Sequence, residues 1–267
     1  MSLRFENWFK AIKLRRSRRT YVSKQIELEV SSSLQNVISE LNERYEEVRL
    51  VYIEKSPEEV FVGAVGPYGK ITGAVAYFAL VLNEDSNFSF EKAGFIGQAI
   101  VLEAATHGLS TCWVGGHFNK GIACKQVNLD NNEKVVAVIP VGYARKNLSL
   151  TEKMMNQVGD YHKRKSVTEI VDGLPEEQWP EWLRSVISAA SLSPSAYNRQ
   201  SVQFIIGEDE SITIKIANPN EETNVPKGID RGIAMLHIEV ATKHHNINGN
   251  WQFNHEDNVV IFRKLGQ

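Results

Sequence analysis

The feature that most constrains the fold of this chain is an internal repeat. Residues 34–39 (LQNVIS) recur as residues 183–188 (LRSVIS), with leucine, valine, isoleucine and serine at the same spacing. Three further stretches align in the same order: 48–55 with 202–209, 103–106 with 239–242, and 134–137 with 258–261. A chain that repeats itself in this way contains two copies of one structural unit. We therefore expect the copies to pack about a pseudo-twofold axis, as the subunits of a homodimer do.

Hydrophobic periodicity gives each copy the order helix, strand, helix, strand. In the first copy, apolar residues recur at helical spacing from Leu34 to Leu41, and the serines at 31–33 are predicted to cap that helix. The next predicted segments are a strand at 48–54, a buried strand at 74–82, a buried helix at 91–107 ended by Gly108, and a strand at 135–143. Pro140 is expected to place the last strand at a sheet edge. The predicted fold class is α+β, with two tandem copies of one α/β unit packed as a pseudo-dimer.

Composition argues against several classes of function. The chain has 267 residues, of which 42% are hydrophobic, and its net charge of −2 gives no global preference for nucleic acid. Its longest apolar run, residues 74–82, is too short to cross a bilayer, and the N-terminus lacks the apolar region of a secretory signal. Cys112 and Cys124 are not spaced as metal ligands, which indicates free thiols and no metal site. These features predict a cytoplasmic protein with no nucleic-acid or membrane partner.

Five cations between Lys13 and Arg19 form a strong local positive charge in this slightly acidic chain. Arginines with an interposed Ser17 suit a phosphate monoester, because guanidinium groups donate paired hydrogen bonds and a hydroxyl can bind a remaining oxygen. Apolar residues at helical spacing from 5 to 12 predict a short helix that delivers this segment. Taken alone, a basic run of this kind is also typical of a solvated face or a nucleic-acid patch.

Two further segments could position a ligand. Residues 111–118 (TCWVGGHF) place adjacent glycines at the end of an apolar run, where a backbone amide can approach a flat ligand that a Cβ would repel. Residues 193–200 (SPSAYNRQ) form a polar turn between a helix and a strand, and such loops often carry binding residues. We call these segments the glycine corner and the polar turn. An ordinary turn remains the alternative interpretation of both.

The two copies differ at the positions where such a ligand would bind. Where the second copy has the polar turn, the first has residues 41–47 (LNERYEE). Where the first copy has the basic run and the glycine corner, the second has a weaker cluster at 162–166 (HKRKS) and residues 244–251 (HHNINGNW). Each half keeps what the other lacks. The pattern predicts one working site that is built from both halves.

Four motifs together resemble the FMN-dependent nitroreductase family: RRSxR at 15–19, TCWVGG at 111–116, a strand ending in Gly-Tyr at 142–143, and PSxxNxQ at 194–200. In ordinary members these motifs lie in one subunit, with PSxxNxQ before the tryptophan-glycine corner. Its move to the second half resembles the fused, single-chain branch labelled putative TM nitroreductases. The resemblance implies a nitroreductase-like fold with two parts. The first half, 1–165, would carry the phosphate motif, and a degenerate second half, 166–267, would supply the polar turn.

The resemblance also implies a set of flavin-binding residues. It assigns the FMN phosphate to Arg15, Arg16, Ser17 and Arg19, with Lys163 and Arg164 as later cations. It assigns the isoalloxazine ring to Val114, Gly115 and Gly116, with a backbone N–H facing flavin N5. The polar turn is expected to contribute Pro194, Ser195, Ala196, Asn198 and Gln200. Family members usually follow this turn with tryptophan, whereas this chain has Ser201 and Val202, which leaves the shape of the far side of the turn open.

The chemistry that the resemblance implies belongs to the cofactor. Hydride from NAD(P)H would reduce FMN, and the electrons would pass to a small nitroaromatic, quinone-like or flavin acceptor. No catalytic side chain is required, and the seven histidines are interpreted as non-catalytic. The alternative is a flavin-binding protein that has lost turnover. Because the family dimer would be fused in one chain, a monomer is expected to suffice. The sequence leaves open the natural acceptor and the choice between NADH and NADPH.

Overall fold

The computed structural model describes residues 2–62, 70–83, 85–145, 163–219, 221 and 223–266; His162, in the predicted second basic cluster, lies outside them. The helices are α1 (Ser2–Leu14), α2 (Leu28–Asn42), α3 (Pro57–Phe61), α4 (Ser89–Thr106), α5 (Lys120–Val127), α6 (Val167–Ile170), α7 (Glu181–Ser191) and α8 (Lys227–His244). The strands are β1 (Val48–Ile53), β2 (Ala76–Asn83), β3 (Ser110–Thr111), β4 (Glu133–Gly142), β5 (Val171–Gly173), β6 (Val202–Ile206), β7 (Ile212–Ile216), β8 (Gly249–Asn254) and β9 (Val259–Lys264). Short 3₁₀ turns lie at Glu176–Gln178 and Ala196–Asn198.

The strands form two sheets, one in each half of the chain. The first has the order β1-β2-β4-β3 with antiparallel neighbours. The second has the order β5-β6-β7-β9-β8 and is antiparallel except for the β5–β6 pair. The order α2-β1-β2-α4-β4 in the first half is followed by α7-β6-β7-α8-β9 in the second. The same succession of elements therefore occurs twice, in the places where the sequence repeats.

Helices α4 and α8 join the two sheets into one core. Both are buried over most of their length, and side chains from both sheets share one hydrophobic cluster. The helices approach closely at glycines, because a Cβ on Gly94 would overlap the carbonyl oxygen of Ile229, and one on Gly232 would overlap that of Glu91. Beside this contact Arg231 donates to Glu91 at 2.6 Å, and both side chains are almost fully buried. The two halves are held together by apolar packing and a buried ion pair.

The predicted buried helix and the first two strands are confirmed. β1 and β2 lie close to their predicted bounds, and α4 ends just before Gly108, which has a left-handed backbone with φ 71°. Glycine adopts this conformation without the steric cost that a side chain would impose, so it ends helices well. These features depend on residues near one another in the chain, which is why the sequence predicts them.

The predicted serine cap of α2 is wrong. The helix begins at Leu28, and Glu27 occupies the N-cap position with an extended backbone. Ser31 lies inside the helix, where its hydroxyl donates to the carbonyl oxygen of Leu28 at 3.1 Å. Serine can satisfy its hydroxyl in this way within a helix, so a serine cluster does not by itself fix the first residue.

The predicted edge position of β4 is also wrong, because the strand lies between β2 and β3. Val114 exchanges two backbone hydrogen bonds with Val138, and Thr111 pairs with Val141. Pro140 lies between these two pairings, where the ladder on the β3 side is interrupted. Proline has no N–H to donate, and the interruption removes the need for one.

Candidate functional site

The basic segment that follows α1 is fixed against the first sheet. α1 buries Trp8 and Ile12 in the core, so the helix has a defined orientation. Ser17 forms a bridge with Thr111 of β3, and the N–H of Arg18 donates to the carbonyl of Thr111 at 3.0 Å. The predicted phosphate motif therefore lies directly beside the strand that leads into the glycine corner.

Three neighbouring guanidinium groups, those of Arg15, Arg16 and Arg164, have no carboxylate partner among the described residues. Burial lowers the pKa of Arg15 to about 10, and the charges of Arg164 and Arg16 add to the shift. The Nε atom of Arg15 is buried without a hydrogen-bond partner. Burial and the charge of Arg16 also lower the pKa of Arg164, which donates to the carbonyls of Ser193 (2.9 Å) and Leu192 (3.2 Å). A nearby anion would favour the charged forms of Arg15 and Arg164.

The polar turn is anchored on the first turn of α8 by one buried carboxylate. Asp230 accepts the N–H of Ala196 at 3.1 Å, Nε of Arg199 at 2.6 Å and the hydroxyl of Ser201 at 3.2 Å. Arg199 also donates from its Nη1 to the carbonyl of Val225 at 2.9 Å. These bonds hold the polar turn against a helix that is itself buried between the two sheets.

The backbone of the polar turn is strained. Tyr197, Asn198 and Gln200 have positive φ angles of 58°, 51° and 47°, a conformation that costs a non-glycine residue about 1–3 kcal/mol. The amide groups of Asn198 and Gln200 both donate to the carbonyl of Lys163 at 3.0 Å. The hydroxyl of Ser195 accepts the N–H of Gln200 at 2.9 Å. The turn and the segment that carries Arg164 therefore form one hydrogen-bonded unit.

The glycine corner packs against the second half of the chain. Val114 uses both backbone groups in pairing with β4, so its amide is not available to a ligand. A Cβ on Gly115 would lie 2.9 Å from the side chain of Val225, and one on Gly116 would lie 2.8 Å from that of Asn224. Packing against the stiff Val225 side chain thus favours glycine at 115, whereas the flexible Asn224 side chain could move to admit a Cβ at 116. The space that these glycines leave is filled by protein, so a ligand contact there depends on their amides.

Tyr197 connects the glycine corner with the polar turn. Its hydroxyl lies 3.4 Å from Nε2 of His117, and 2.9 and 3.1 Å from Nδ2 and Oδ1 of Asn224. Because His117 belongs to the first half and Tyr197 to the second, this contact joins the glycine corner to the polar turn across the two halves.

The structure thus brings the polar turn, the glycine corner, Arg164 and the end of α1 into one region. Pro194, Ser195 and Ala196 are half-buried there. Arg19 lies further along the chain, where its carbonyl accepts the N–H of Thr72 at 2.9 Å.

Sequence reasoning missed three residues that shape this region. Asp230 could have been recognised as an acid among the apolar residues that open α8. Asn224 and Val225 belong to no motif or periodic pattern, so only their contacts identify them. All three lie in the second half and contact either the polar turn or the glycine corner.

A cleft, the α2–β1 cleft, lies where α2 leads into β1. It is lined by residues 44–47 and 130–133 together with Asn83, Ser86, Lys92 and Phe253. Arg44 donates to both carboxylate oxygens of Glu239 at 2.9 Å, and Lys92 pairs with Glu47. Glu133 at its rim is paired with Arg49 at 2.6 Å. The cations of this cleft are therefore neutralised by carboxylates of the protein.

The described ranges contain no helix with the length and apolar character needed to cross a membrane. Within the same ranges, no group of three or more His, Cys, Asp or Glu residues is placed to hold a metal ion. Cys112 and Cys124 are free thiols, as predicted.

The fold of this chain is similar to that of proteins of known structure. A putative nitroreductase from Thermotoga maritima is 19% identical over 96% of this chain and 92% of its own, with a TM-score of 0.64. That likeness confirms the predicted nitroreductase-like α+β fold. A nitroreductase family protein from Clostridium difficile 630 is 18% identical over 64% of this chain and 98% of its own, with a TM-score of 0.46. No curated protein matches the chain. The family model for "Putative TM nitroreductase" matches residues 7–242, and this chain therefore belongs to that family.

Proposed function

We propose that this chain is an FMN-dependent oxidoreductase that takes hydride from NAD(P)H and reduces nitroaromatic, quinone-like or flavin acceptors. Membership of the nitroreductase family supports a general oxidoreductase role. The observation that carries the FMN assignment is the group of Arg15, Arg16 and Arg164, which has no carboxylate partner among the described residues. When bound, FMN would supply the redox chemistry by accepting hydride from the nicotinamide and passing electrons to the acceptor.

The donor set fits the phosphate of FMN. A phosphate monoester carries a charge of about −1.5 to −2 at neutral pH and offers three strong acceptor oxygens. Arg15 has a buried Nε donor without a partner, and the exposed Ser17 lies on the next stretch of backbone. Charge-assisted hydrogen bonds from several arginines are the usual means of holding such a group. Arg19 and Lys163 are proposed as outer contacts of the same phosphate.

The flavin ring would be held by the glycine corner and the polar turn. Because the amide of Val114 is already paired with β4, the donor to the ring comes from Gly115 or Gly116. Asn198 and Gln200, with Pro194, Ser195 and Ala196, would form the wall that the second half provides. These residues bind and orient the ring and stabilise the charge of its reduced form, each fixed donor contributing about 1–3 kcal/mol. No side chain is assigned as a proton donor or acceptor.

We further propose that the two halves correspond to the two subunits of a fused dimer, with one FMN per chain. The repeated succession of elements supports the first part. The contact of Tyr197 with His117 supports a site shared between the halves. The α2–β1 cleft, in which Arg44 and Lys92 are already paired with carboxylates, offers a phosphate no comparable group of free cations.

Titration of the purified protein with FMN and with riboflavin tests this proposal. We expect one FMN per chain by flavin absorbance, and much weaker binding of riboflavin because it lacks the phosphate. Oxidation of NAD(P)H in the presence of a nitroaromatic or quinone then tests turnover. Equal affinity for the two flavins would contradict the phosphate site, and two flavins per chain would contradict the shared site. Tight FMN binding without NAD(P)H oxidation would identify a flavin-binding protein that has lost turnover.

A further inference from the structure

Two buried side chains, Gln98 and His237, and the half-buried Trp113 form a hydrogen-bonded chain that the proposed flavin contacts do not include. Nε1 of Trp113 lies 3.1 Å from Oε1 of Gln98, and Nε2 of Gln98 lies 2.9 Å from Nε2 of His237. Nδ1 of His237 lies 2.8 Å from the carbonyl oxygen of Ala189. Gln98 and His237 are completely buried, so water cannot take the place of either one in the bond between them.

The two ends of this chain allow only one arrangement of protons. The indole N–H of Trp113 can only donate, so the amide oxygen of Gln98 must face it. The amide nitrogen of Gln98 then faces His237 and donates to its Nε2, which must carry no proton. The carbonyl of Ala189 can only accept, so the proton of His237 is on Nδ1. A protonated His237 would place two donors against each other.

The electrostatic surroundings favour the same state. Burial lowers the pKa of His237 to about 3, and the charges of Arg15 and Arg164 contribute in the same direction. The imidazole therefore stays neutral at every pH at which the protein is expected to work.

The hydrogen-bonded chain connects the two parts of the proposed flavin site. Trp113 directly precedes Val114 in the glycine corner, and its ring packs so closely on α4 that a Cβ on Gly97 would overlap it. Ala189 lies in α7, the helix that leads into the polar turn. Gln98 belongs to α4 of the first half, and His237 belongs to α8 of the second. Four groups with fixed donor and acceptor roles thus span the contact between the halves.

We propose that Gln98 and His237 are positioning residues that hold Trp113 in one orientation and thereby fix the glycine corner relative to the polar turn. The proposal rests on the proposed FMN function, because it assigns these residues a role in placing amides that contact the ring. Loss of Gln98 removes the acceptor of the Trp113 indole N–H, and loss of His237 leaves the buried amide nitrogen of Gln98 unpaired, so that Gln98 no longer holds Trp113 in one orientation. A corner that is no longer held in place must be ordered when the ligand binds, which lowers affinity.

The test compares Gln98→Met and His237→Phe with the wild-type chain. Gln98→Met keeps the side-chain volume close to that of glutamine, so it separates the hydrogen bond from packing. The indole N–H signal of Trp113, assigned by its loss in Trp113→Phe, is followed by ¹⁵N NMR. We expect its hydrogen exchange to become about tenfold faster or more in both variants, and the Kd of FMN to rise by about five- to tenfold. The ring nitrogens of His237 in the wild type should show a proton on Nδ1 only.

Thr242→Val is the matched control. Thr242 is buried on the same helix as His237, but its hydroxyl donates only to the carbonyl of Glu239 one turn earlier. This variant should leave the Trp113 signal and the affinity for FMN unchanged. Wild-type values of both quantities in Gln98→Met and His237→Phe would overturn the proposal, as would a proton on Nε2 of His237. Failure of the wild-type protein to bind FMN would instead contradict the proposed function itself.

Discussion

The polar turn that follows α7 and the turn that follows α2 occupy corresponding places at the entry to the two sheets. The arginines near these two turns, however, have different partners. After α2, Arg44 is held by both oxygens of Glu239, which also accepts the indole N–H of Trp251. Near the polar turn, Arg164 donates to backbone carbonyls, Nε of Arg15 has no partner among the described residues, and the two charges repel each other. Cations that are already paired with carboxylates of the protein attract an anionic ligand only weakly. Unpaired cations that are partly buried indicate where such a ligand would bind.

The difference also extends to the backbone. Asn42, the last residue of α2, bonds the N–H and carbonyl of Leu50 with its own amide group and so closes the turn between α2 and β1. The polar turn instead directs the amides of Asn198 and Gln200 to the carbonyl of Lys163, in the segment that carries a predicted phosphate cation. One turn thus stabilises its own sheet, and the other connects separate parts of the proposed site.

The largest expected effect comes from the ion pair on which both regions depend. Glu91→Ala leaves the almost fully buried Arg231 without its carboxylate, and breaking such a pair costs about 3–5 kcal/mol. Urea unfolding should show this loss. The double variant Glu91→Met with Arg231→Met should recover most of it, because apolar side chains of similar volume often replace a buried pair without loss. A double variant as unstable as Glu91→Ala would show that the pair itself, and not the unpaired charge, holds the helices together.

Two arginine substitutions, one near each turn, test this comparison most directly. Arg15→Met should weaken FMN binding by about 1.5–3 kcal/mol, the range for a hydrogen bond to a charged group. It should leave the stability of the free protein unchanged or higher, because it removes a repelled and partly buried charge. Flavin titration and urea unfolding measure the two quantities.

Arg44→Met is the control for that substitution and should show the opposite pattern. Here Glu239 loses a partner, so stability should fall by about 1 kcal/mol, a modest value because Arg44 is 37% exposed. FMN binding should not change. Weaker FMN binding in Arg44→Met than in Arg15→Met would place the cofactor in the α2–β1 cleft and contradict the comparison.

A third prediction separates protein packing from ligand contact at the glycine corner. Gly115→Ala should lower stability by about 1–2 kcal/mol, because the added Cβ would lie 2.9 Å from the side chain of Val225. Combining it with Val225→Ala should restore stability by making room. If FMN affinity returns together with stability, the corner acts only through packing. If affinity stays low in the stable double variant, the added methyl group disturbs the ring or the amide that holds it.

The smallest expected effect is a difference in pH dependence between the two regions. The folded protein keeps His237 neutral down to a pKa of about 3, whereas the unfolded chain protonates it near 6.5. Between these values the unfolded state binds more protons, so this residue lowers stability as pH falls, by about 1 kcal/mol between pH 6.5 and 5.5. Urea unfolding of His237→Phe should lack this slope.

The carboxylates near the α2–β1 cleft should act in a lower pH range. The hydrogen bond from Arg49 lowers the pKa of Glu133 below its ordinary 4.5, so the pair stabilises the fold above that value and is lost as pH falls further. Glu133→Gln should therefore lower stability by a constant amount above about pH 4.5 and change the slope of the curve only below that value. A change of slope near pH 6 in that variant would contradict the assignment of that slope to His237.

The sequence by itself determined the repeat, the main helices and strands, and the motifs at 15–19, 111–116 and 194–200. Helical and strand periodicity are set by residues close together in the chain, so α4 and β2 could be read directly. A helix start is less certain, because Ser31 can bond inside a helix as well as at its end. The sequence reveals each of the three motifs, but it does not show how they contact one another in the folded chain.

Only the tertiary structure decided how the two halves meet. It placed Pro140 in an interior strand, filled the space beside Gly115 with Val225, and anchored the polar turn on Asp230. It also joined Gln98 of one half to His237 of the other. These contacts connect residues far apart in the chain, so no periodic pattern in the sequence predicts them. They are nevertheless needed, because most buried donors, acceptors and charges require a partner, and only the folded chain brings the two together.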